Sequence, residues 1–387
     1  MSRPAENCRL CGGNFLEGNA LDYPGMPERA QNLPRPGEAN PQITLRVREC
    51  ARCHAVQLLN APVPYYREVI RASAGSPEMM EFRRRDFKNF ASKYLKPQAK
   101  FIEYGCGAGE YLACFPEGYR LYGTECGEAA RQEAAAALPG ARIFPLYPGE
   151  AMPEGETFDG FAVLNWLEHL PDLPRVLDNL RAALSENGAG IIEVPDFGRM
   201  VKSGEFNEFT GDHLWYFTRE PLIALLKRHG FLTEACESVW HGYILRLTVR
   251  KSEPRPDFFP ELPPQYRREQ FREPEERLRR DIGCFTAGSG EAAVWGAGHQ
   301  AFMTLAFSGL SGRFRYIVDS AVFKQGRVSP ATGLPIVPPE ELNEHPVRRV
   351  LVMAGGYSDE VVKILRAAYP QVKEIAAVSG GVFRRIC

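Results

Sequence analysis

Residues 103–109 read Glu-Tyr-Gly-Cys-Gly-Ala-Gly and form the most informative stretch of the chain. Residues 99–102 before this stretch, Ala-Lys-Phe-Ile, predict the end of a strand, and residues 110–115 after it predict a helix. Glycines stand at alternate positions of the turn between them: Gly105, Gly107 and Gly109. Glycine allows backbone to turn tightly and to approach a ligand without an intervening Cβ atom. A strand, a glycine-rich turn and a helix form the first unit of a nucleotide-binding α/β sheet.

Two acidic residues refine this interpretation. The spacing is G-x-G-x-G with Glu103 two residues before the first glycine, and not the G-x-G-x-x-G of dinucleotide sites. An acid at that place suits a cationic or amino-bearing ligand better than a pyrophosphate. Residues 119–124 predict the next strand, and Glu125 follows its end. A carboxylate there can bind the two hydroxyls of a ribose.

This pattern resembles the cofactor site of class I S-adenosylmethionine-dependent methyltransferases. The resemblance implies that Glu103 and the three glycines hold the methionine part of the cofactor, and that Glu125 holds its ribose. Residues 158–165 and 190–194 look like the fourth and fifth strands of that fold. Residues 166–170, Trp-Leu-Glu-His-Leu, follow the fourth strand in a pattern common to these enzymes.

Length and charge limit the classes of function. The chain has 387 residues, enough for two or three domains, and a formal net charge of −1 from 47 basic and 48 acidic residues. This balance gives no electrostatic reason to expect nucleic acid or an anionic membrane as partner. Neither a membrane-spanning apolar run nor a signal-peptide core is present, so we expect a cytoplasmic protein. The oligomeric state stays open, and a monomer is compatible with the sequence.

Four of the ten cysteines form a pair of pairs near the N-terminus. They are Cys8, Cys11, Cys50 and Cys53, in two C-x-x-C turns. Each such turn presents two thiolates to one metal ion, and two turns complete the tetrahedral set that zinc prefers. The alternatives are coincidence or a redox C-x-x-C. A four-thiolate zinc site is closed to substrate, so its expected role is structural.

Composition and periodicity divide the chain into four segments. Residues 1–60 form the zinc-binding module, and residues 61–252 form the methyltransferase core with helices at its start. Residues 253–280 are rich in proline and then in charge, which predicts a linker that becomes an exposed helix. In residues 281–387, strand-like segments alternate with helical ones, which predicts a second Rossmann-like sheet. The predicted fold is therefore α/β, with a class I methyltransferase (Rossmann-like) core between a zinc module and a C-terminal Rossmann-like domain.

The C-terminal segment carries a weak dinucleotide signal. Gly296-Ala297-Gly298 follows a strand-like stretch, and Asp319 ends the next strand. Taken alone, this spacing would indicate NAD and an oxidoreductase. It stands as an alternative to a domain that encloses substrate.

The order of the three parts resembles the sugar C-methyltransferases that act on nucleotide-linked keto-deoxysugars, such as the TDP-sugar 3-C-methyltransferases. The resemblance covers essentially the whole chain. Its motifs are the four cysteines, residues 103–109, His169, residues 212–217 and Asp319 with residues 324–326. It implies transfer of a methyl group to a carbon beside a ketone, with the outer domains enclosing a nucleotide-sugar substrate and without nucleic acid or membrane as partner.

That chemistry requires a base to remove the proton beside the carbonyl and polar donors to stabilise the enolate. Histidine suits the base because its pKa lies near neutrality. His213, in the loop of residues 210–217 after the fifth strand, is our candidate. Asp212 beside it can orient His213 or contact the sugar. His169 is the second candidate, although Glu-His at that point recurs in class I methyltransferases with many substrates.

The sequence also departs from the family pattern. Thr210 stands where relatives often carry a tyrosine, and the aromatic residue expected to face the sugar is Tyr65 or Tyr66, with an uncertain alignment. These changes leave open which residue is the base and whether carbon or oxygen is methylated. The competing hypotheses are an O- or N-methyltransferase of small metabolites, a zinc-ribbon RNA methyltransferase and a binding protein with a degenerate cofactor site. The lack of basic surplus disfavours RNA, and the intact acids and glycines disfavour degeneracy.

Overall fold

The computed structural model describes residues 5–63, 76–147, 149–288 and 292–387. The strands are β1 (Leu21–Pro27), β2 (Gln42–Glu49), β3 (Val56–Leu58), β4 (Lys100–Tyr104), β5 (Arg120–Thr124), β6 (Arg142–Phe144), β7 (Phe158–Leu164), β8 (Leu184–Pro195), β9 (Trp215–Tyr216), β10 (Phe231–Val239), β11 (Ile244–Lys251), β12 (Ala292–Trp295), β13 (Phe314–Val318), β14 (Ile336–Val337), β15 (Arg349–Val352), β16 (Glu374–Ser379) and β17 (Val382–Arg385). The helices are α1 (Pro77–Tyr94), α2 (Glu128–Ala137), α3 (Leu173–Ala182), α4 (Phe197–Ser203), α5 (Arg219–Arg228), α6 (Glu269–Phe285), α7 (His299–Ser308), α8 (Glu341–Glu344) and α9 (Ser358–Ala368).

The central sheet has the order β10-β11-β8-β7-β4-β5-β6. The strands from β8 to β6 pair in parallel, and β11 pairs antiparallel with β8 on one side and with β10 on the other. This is the strand order of the class I methyltransferase core. The chain passes from β4 to β5 in one direction and from β7 to β8 in the other. The carboxyl ends of β4 and β7 therefore flank a topological switch point, where ligands bind in open α/β sheets.

The N-terminal module shares its sheet with the core. Its sheet has the order β1-β2-β3-β9, and β9 comes from the chain that follows His213. Val56 pairs with Tyr216 and Gln57 with Trp215. The Leu58 N–H also donates to the Leu214 carbonyl at 2.9 Å. The short strand β9 thus holds the candidate catalytic loop against the module that carries the cysteines.

The C-terminal sheet has the order β14-β13-β12-β15-β16-β17. It is parallel from β14 to β16, and β17 closes it in antiparallel pairing. The predicted Rossmann-like sheet is confirmed. Helix α6 packs one face inward through Phe271, Leu278, Ile282 and Phe285, and it crosses the boundary drawn at residue 280.

One local prediction is wrong. The helix expected over residues 110–115 is only a 3-10 turn at Leu112–Cys114, with Gly109 in the left-handed region just before it. Strand β11 begins at Ile244, because Trp240 and His241 before it have positive φ and form a turn. Arg83 of α1 is fully buried.

Candidate active site

The glycine-rich turn after β4 is folded around side chains of the next strand. Gly105, Gly107 and Gly109 have φ values of 71°, 56° and 84°, a region that L-residues with a Cβ rarely adopt. The Gly105 N–H donates to Thr124 Oγ1 at 3.1 Å, and the Gly107 N–H donates to Glu125 Oε2 at 3.2 Å. These two bonds fix the turn against the end of β5, with Gly105 and Gly107 half-buried at the switch point.

Glu103 lies at the end of β4 with its carboxyl buried. Its Oε2 atom has no hydrogen-bond partner among the described residues. Burial raises the pKa of this carboxyl to about 8, although the nearby Arg83 guanidinium acts in the opposite direction. A buried acceptor beside an open backbone cradle fits a ligand that carries an ammonium group, which is what the methionine part of S-adenosylmethionine presents.

Glu125 follows β5 directly and is half-buried. Its Oε1 accepts the Gly127 N–H at 2.6 Å while its Oε2 accepts that of Gly107. These bonds orient the carboxylate and leave it further acceptor positions for a ribose. A small cleft lies beside the end of β5, between Tyr104, Thr124, Leu146 and Trp166.

A buried ion network underlies the cofactor turn, and sequence analysis missed it. Arg83 of α1 makes a bidentate pair with Glu193 of β8 at 2.8 and 2.7 Å. Arg246 of β11 contacts the same carboxylate at 3.9 Å and pairs with Asp86 at 2.9 Å. These groups tie α1 to the middle of the sheet. The alternation of charge with apolar residues in the predicted helix gave no sign that Arg83 faces inward.

Trp166 connects the cofactor turn to the histidines. A Cβ atom on Gly105 would lie 2.8 Å from the Trp166 ring, so only glycine fits there. Residues 167–169 then form a 3-10 turn that places Glu168 and His169 under the loop of His213. The Glu168 carbonyl accepts the Leu214 N–H at 2.7 Å, which joins the two segments. Burial raises the pKa of the Glu168 carboxyl to about 8.

The two predicted histidines lie together. The rings of His169 and His213 have their centroids 4.7 Å apart in an edge-to-face arrangement. His169 Nδ1 lies 2.8 Å from the Asp212 carbonyl and donates to it, which makes Nε2 the acceptor of the neutral ring. Burial lowers the pKa of His169 to about 4. Burial, His169 and His299 together lower the pKa of His213 well below its ordinary value. Both imidazoles are therefore neutral at physiological pH, and His213 is able to accept a proton.

The neighbours of His213 anchor its loop. Asp212 Oδ1 accepts the Ala30 N–H of the N-terminal module at 3.2 Å. Thr210, at the position where a tyrosine was expected, bonds through its backbone to the hydroxyl of Tyr216, with the N–H to oxygen distance at 3.0 Å. A Cβ atom on Gly211 would lie 2.5 Å from the Glu28 carbonyl oxygen. The module and the loop are thus in backbone contact around the candidate base.

A third histidine reaches the cluster from the C-terminal domain, and sequence analysis did not select it. His299 is the first residue of α7, and its ring centroid lies 6.2 Å from that of His213. Its Nε2 lies 3.1 Å from Oε2 of the buried Glu208. In sequence, His299 was visible only as the residue after Gly296-Ala297-Gly298. Because Glu208 and His213 are far from His299 in the chain, the sequence did not indicate that the three residues are neighbours.

The predicted sugar-facing tyrosines and the predicted NAD residue Asp319 have different outcomes. Tyr65 and Tyr66 lie outside the described residues, so their predicted contact with the sugar stays a prediction. Asp319, which suggested NAD, uses its carboxylate inside the protein: it accepts the N–H groups of Ala297 and Ala321 at 2.8 and 2.9 Å and pairs with Lys324 at 3.1 Å. That arrangement does not favour a ribose contact at Asp319.

The four N-terminal cysteines converge. The Sγ atoms of Cys8 and Cys53 are 3.6 Å apart and those of Cys11 and Cys50 are 3.4 Å apart. All four Sγ atoms lie within 4.8 Å of one another. A tetrahedral zinc site with bonds of about 2.3 Å places sulfurs about 3.8 Å apart. The cluster therefore has the donor set and the dimensions of a four-thiolate metal site.

Comparisons with known proteins agree with this architecture. Residues 78–235 match the family model of a methyltransferase domain, and residues 265–375 match that of a C-methyltransferase C-terminal domain. The C-methyltransferase NovU of Streptomyces niveus is 25% identical over 406 aligned positions, which cover 93% of this chain and 92% of that protein. No helix among the described residues is long and apolar enough to cross a membrane.

Solved structures of S-adenosylmethionine-dependent methyltransferases align with part of the chain. One from Clostridium acetobutylicum covers 44% of this chain and 92% of its own, with 10% identity and a TM-score of 0.39. Magnesium protoporphyrin IX methyltransferase from Synechocystis covers 45% of this chain and 83% of its own, with 16% identity and a TM-score of 0.38.

Proposed function

Since this chain is an S-adenosylmethionine-dependent methyltransferase of the C-methyltransferase family, we propose that it methylates a nucleotide-linked keto-deoxysugar. The carbon that accepts the methyl group lies beside the ketone, and a TDP-linked sugar is the first candidate. The observation that carries the proposal is the contact between two neutral histidines: His169, which ends the turn after Trp166, and His213, in the loop before β9. A base next to the cofactor turn is what methylation of a ketone-activated carbon requires.

The cofactor supplies an activated methyl group, so the protein has to supply a carbon nucleophile. In this proposal Glu103 and the glycine turn hold the amino acid part of the cofactor, and Glu125 holds the ribose. His213 takes the proton from the carbon beside the carbonyl. The electron pair of that C–H bond forms the C=C bond of the enolate, and the π electrons of the carbonyl move to its oxygen. His169, which donates through Nδ1 to the Asp212 carbonyl, has Nε2 available to accept a hydrogen bond from a sugar hydroxyl.

The lowered pKa of His213 suits a base that works on an acidified carbon. A neutral imidazole is available at all physiological pH values, and its burial removes competing water. A lowered pKa also makes His213 a weaker base, so stabilisation of the enolate must offset the loss of basicity. Tyr65 and Tyr66 remain proposed contacts of the sugar.

The second candidate function is O- or N-methylation of a sugar or another small metabolite. Thr210 favours it, because the tyrosine of the family pattern is missing at that position. Such a reaction needs a base at a hydroxyl or amine but no enolate. The two functions therefore differ in whether a ketone is required.

We also propose that Cys8, Cys11, Cys50 and Cys53 bind one structural zinc ion. The convergence of their sulfurs supports this assignment, and four thiolates leave no open coordination position on zinc, which supports a structural role. We propose further that the protein acts in the cytoplasm, on a small-molecule substrate.

The product identifies the function. The enzyme is incubated with S-adenosylmethionine and a panel of TDP-linked 4-keto-6-deoxysugars, and the products are examined by mass spectrometry and carbon NMR. A product heavier by one methyl group, with the new carbon bonded to a ring carbon, is expected. A new methyl bonded to oxygen or nitrogen, or turnover of sugars that lack the ketone, would support the second candidate instead.

A further inference from the structure

Glu208 is the centre of a buried polar cluster that joins the core to the C-terminal domain. Its side chain is almost fully buried, and its Oε2 accepts hydrogen bonds from His299 Nε2 at 3.1 Å and from the Tyr243 hydroxyl at 3.0 Å. The Gln300 amide donates to Oε1. Three donors from two other segments of the chain thus meet at the Glu208 carboxylate.

The cluster stabilises a pair of opposite charges. Burial alone would raise the pKa of Glu208, but the hydrogen bonds from His299, Gln300 and Tyr243 outweigh it and lower that pKa. Burial alone would lower the pKa of His299, but the bond to Glu208 outweighs it and raises that pKa. Each partner therefore favours the charged form of the other.

His299 differs in this respect from the two histidines beside it. The pKa values of His169 and His213 are lowered and that of His299 is raised, so His299 is the ring of the three that most readily carries a positive charge. The titratable and charged groups that face these rings come from every neighbouring element: Glu168, His169, Glu208, Asp212, His213, Tyr216, Tyr243, His299 and Lys324. The Lys324 charge opposes protonation of His299, whereas those of Glu208 and Asp212 favour it.

We propose that His299, paired with Glu208, is a catalytic residue of the C-terminal domain that donates a hydrogen bond to the oxygen of the enolate. The inference rests on the proposed function. When His213 removes the proton, the C–H electron pair forms the C=C bond, and the π electrons of the carbonyl move to its oxygen. His213 carries the proton, and the negative oxygen needs a donor. The Nε2 of His299 is bound to Glu208, which leaves its Nδ1–H for that oxygen.

The distances allow both contacts at once. A base works at about 3 Å from the group that loses its proton, and a donor lies about 2.8 Å from an oxyanion. The reacting carbon and the carbonyl oxygen are separated by two bonds. With the ring centroids of His213 and His299 6.2 Å apart, one such fragment that lies beside both rings is able to contact both of them. A cationic donor is also stronger than a neutral one, and the buried surroundings increase its effect.

The test uses the whole enzyme with the His299→Gln variant. Gln keeps a donor toward Glu208 but has no positive charge. Exchange of the proton beside the ketone is followed by NMR in heavy water with the same keto-sugar panel. The expected result is a rate at least about 100-fold lower than that of the wild type, with unchanged affinity for S-adenosylmethionine. The matched control is His345→Gln, since His345 pairs with Glu341 at 2.7 Å in the same domain but is exposed. It should exchange at the wild-type rate.

A second measurement needs no substrate. Imidazole NMR of the wild-type enzyme should show His299 titrating above its ordinary pKa of about 6.5, and Glu208→Gln should lower that value. The proposal is overturned if His299→Gln exchanges the substrate proton at the wild-type rate. It is also overturned if the titration shows that His299 is neutral at pH 6. If the wild type exchanges no keto-sugar, the proposed function fails. The titration then decides separately whether His299 carries the charge, and it is also decisive if His299→Gln does not fold.

Discussion

At the scale of single residues, the site depends on carboxyl groups whose burial changes their chemistry. Glu103 is the clearest case, because a carboxyl with a pKa of about 8 is largely protonated at neutral pH before the cofactor binds. A cationic ligand requires the ionised form. Binding must therefore release a proton, and the free energy of binding becomes dependent on pH.

We predict that affinity for S-adenosylmethionine rises with pH up to about 8 and falls about tenfold per unit of pH below that value. Calorimetry in buffers of different ionisation enthalpy should show release of close to one proton at pH 6.5. In Glu103→Gln the affinity should be lower and the proton release absent. Proton release that survives in that variant would assign the titrating group elsewhere.

Glu125 differs from Glu103 because its carboxylate is only half-buried and already accepts hydrogen bonds from two backbone N–H groups. Glu125→Ala should weaken cofactor binding through loss of the ribose contact and through loosening of the turn. Glu128→Ala, one helical turn away on the exposed start of α2, is the control. Unchanged affinity in Glu125→Ala, measured by calorimetry, would argue against the cofactor assignment.

The Arg83–Glu193 pair gives a stability prediction. Arg83→Met removes one partner and leaves a buried charge on Glu193, which should lower the free energy of unfolding by about 3–5 kcal/mol. The neighbouring Arg84 is exposed and pairs with Glu81 at 3.6 Å, so Arg84→Met should cost less than about 1 kcal/mol. Urea unfolding measures both. Equal costs would mean that the buried pair adds nothing to stability.

At the scale of elements, β9 is the junction between the N-terminal module and the loop of His213. The module contacts this loop through β3–β9 pairing, through Ala30 and Asp212, and through the close approach of Glu28 to Gly211. The proposed zinc site would therefore affect catalysis indirectly, by holding β1, β2 and β3 in place for β9.

Gly211→Ala tests this junction. The new Cβ would stand 2.5 Å from the Glu28 carbonyl oxygen, and since backbone must move to relieve that contact, we expect a loss of about 1–3 kcal/mol of unfolding free energy. Exchange of the substrate proton should fall while cofactor affinity is kept. The control is Gly140→Ala, whose Cβ would meet no atom within 4 Å. If both variants behave alike in thermal unfolding and exchange, the junction does not position the loop.

Metal removal tests the cysteine cluster. Cys8→Ser should lower bound zinc, measured by elemental analysis, and should lower the unfolding temperature, because structural zinc contributes to folding free energy. Cys284→Ser, at an exposed cysteine of α6, is the control and should keep its metal. A full zinc complement in Cys8→Ser would refute the four-cysteine site.

At the scale of the whole molecule, the sequence predicted what is local or periodic. The strands at 100–104, 120–124 and 158–164 were predictable from apolar runs, and the cysteine pairs from their spacing. The order of the central sheet then followed from the family resemblance. The contacts that the sequence did not predict join segments that are distant in the chain. They are the contacts of Arg83 with Glu193, of Glu208 with His299 and of β3 with β9.

The three domains also divide the work of one site. The core holds the cofactor turn and both predicted histidines, the N-terminal module fixes the loop of His213, and the C-terminal domain adds His299. The substrate would be enclosed where the three meet. The isolated core should therefore bind S-adenosylmethionine in calorimetry but show little or no exchange of the substrate proton in NMR.

The central claim is that this enzyme makes an enolate with His213 as the base. The most direct measurement is NMR of a TDP-linked 4-keto-6-deoxysugar in heavy water with enzyme and S-adenosylhomocysteine, which blocks methyl transfer but occupies the cofactor site. Loss of the signal of the proton beside the ketone in the wild type, and its persistence in His213→Asn with cofactor affinity unchanged, is the predicted result. Exchange at the wild-type rate in His213→Asn, or methyl transfer in the wild type to a sugar that exchanges no proton, would contradict the account.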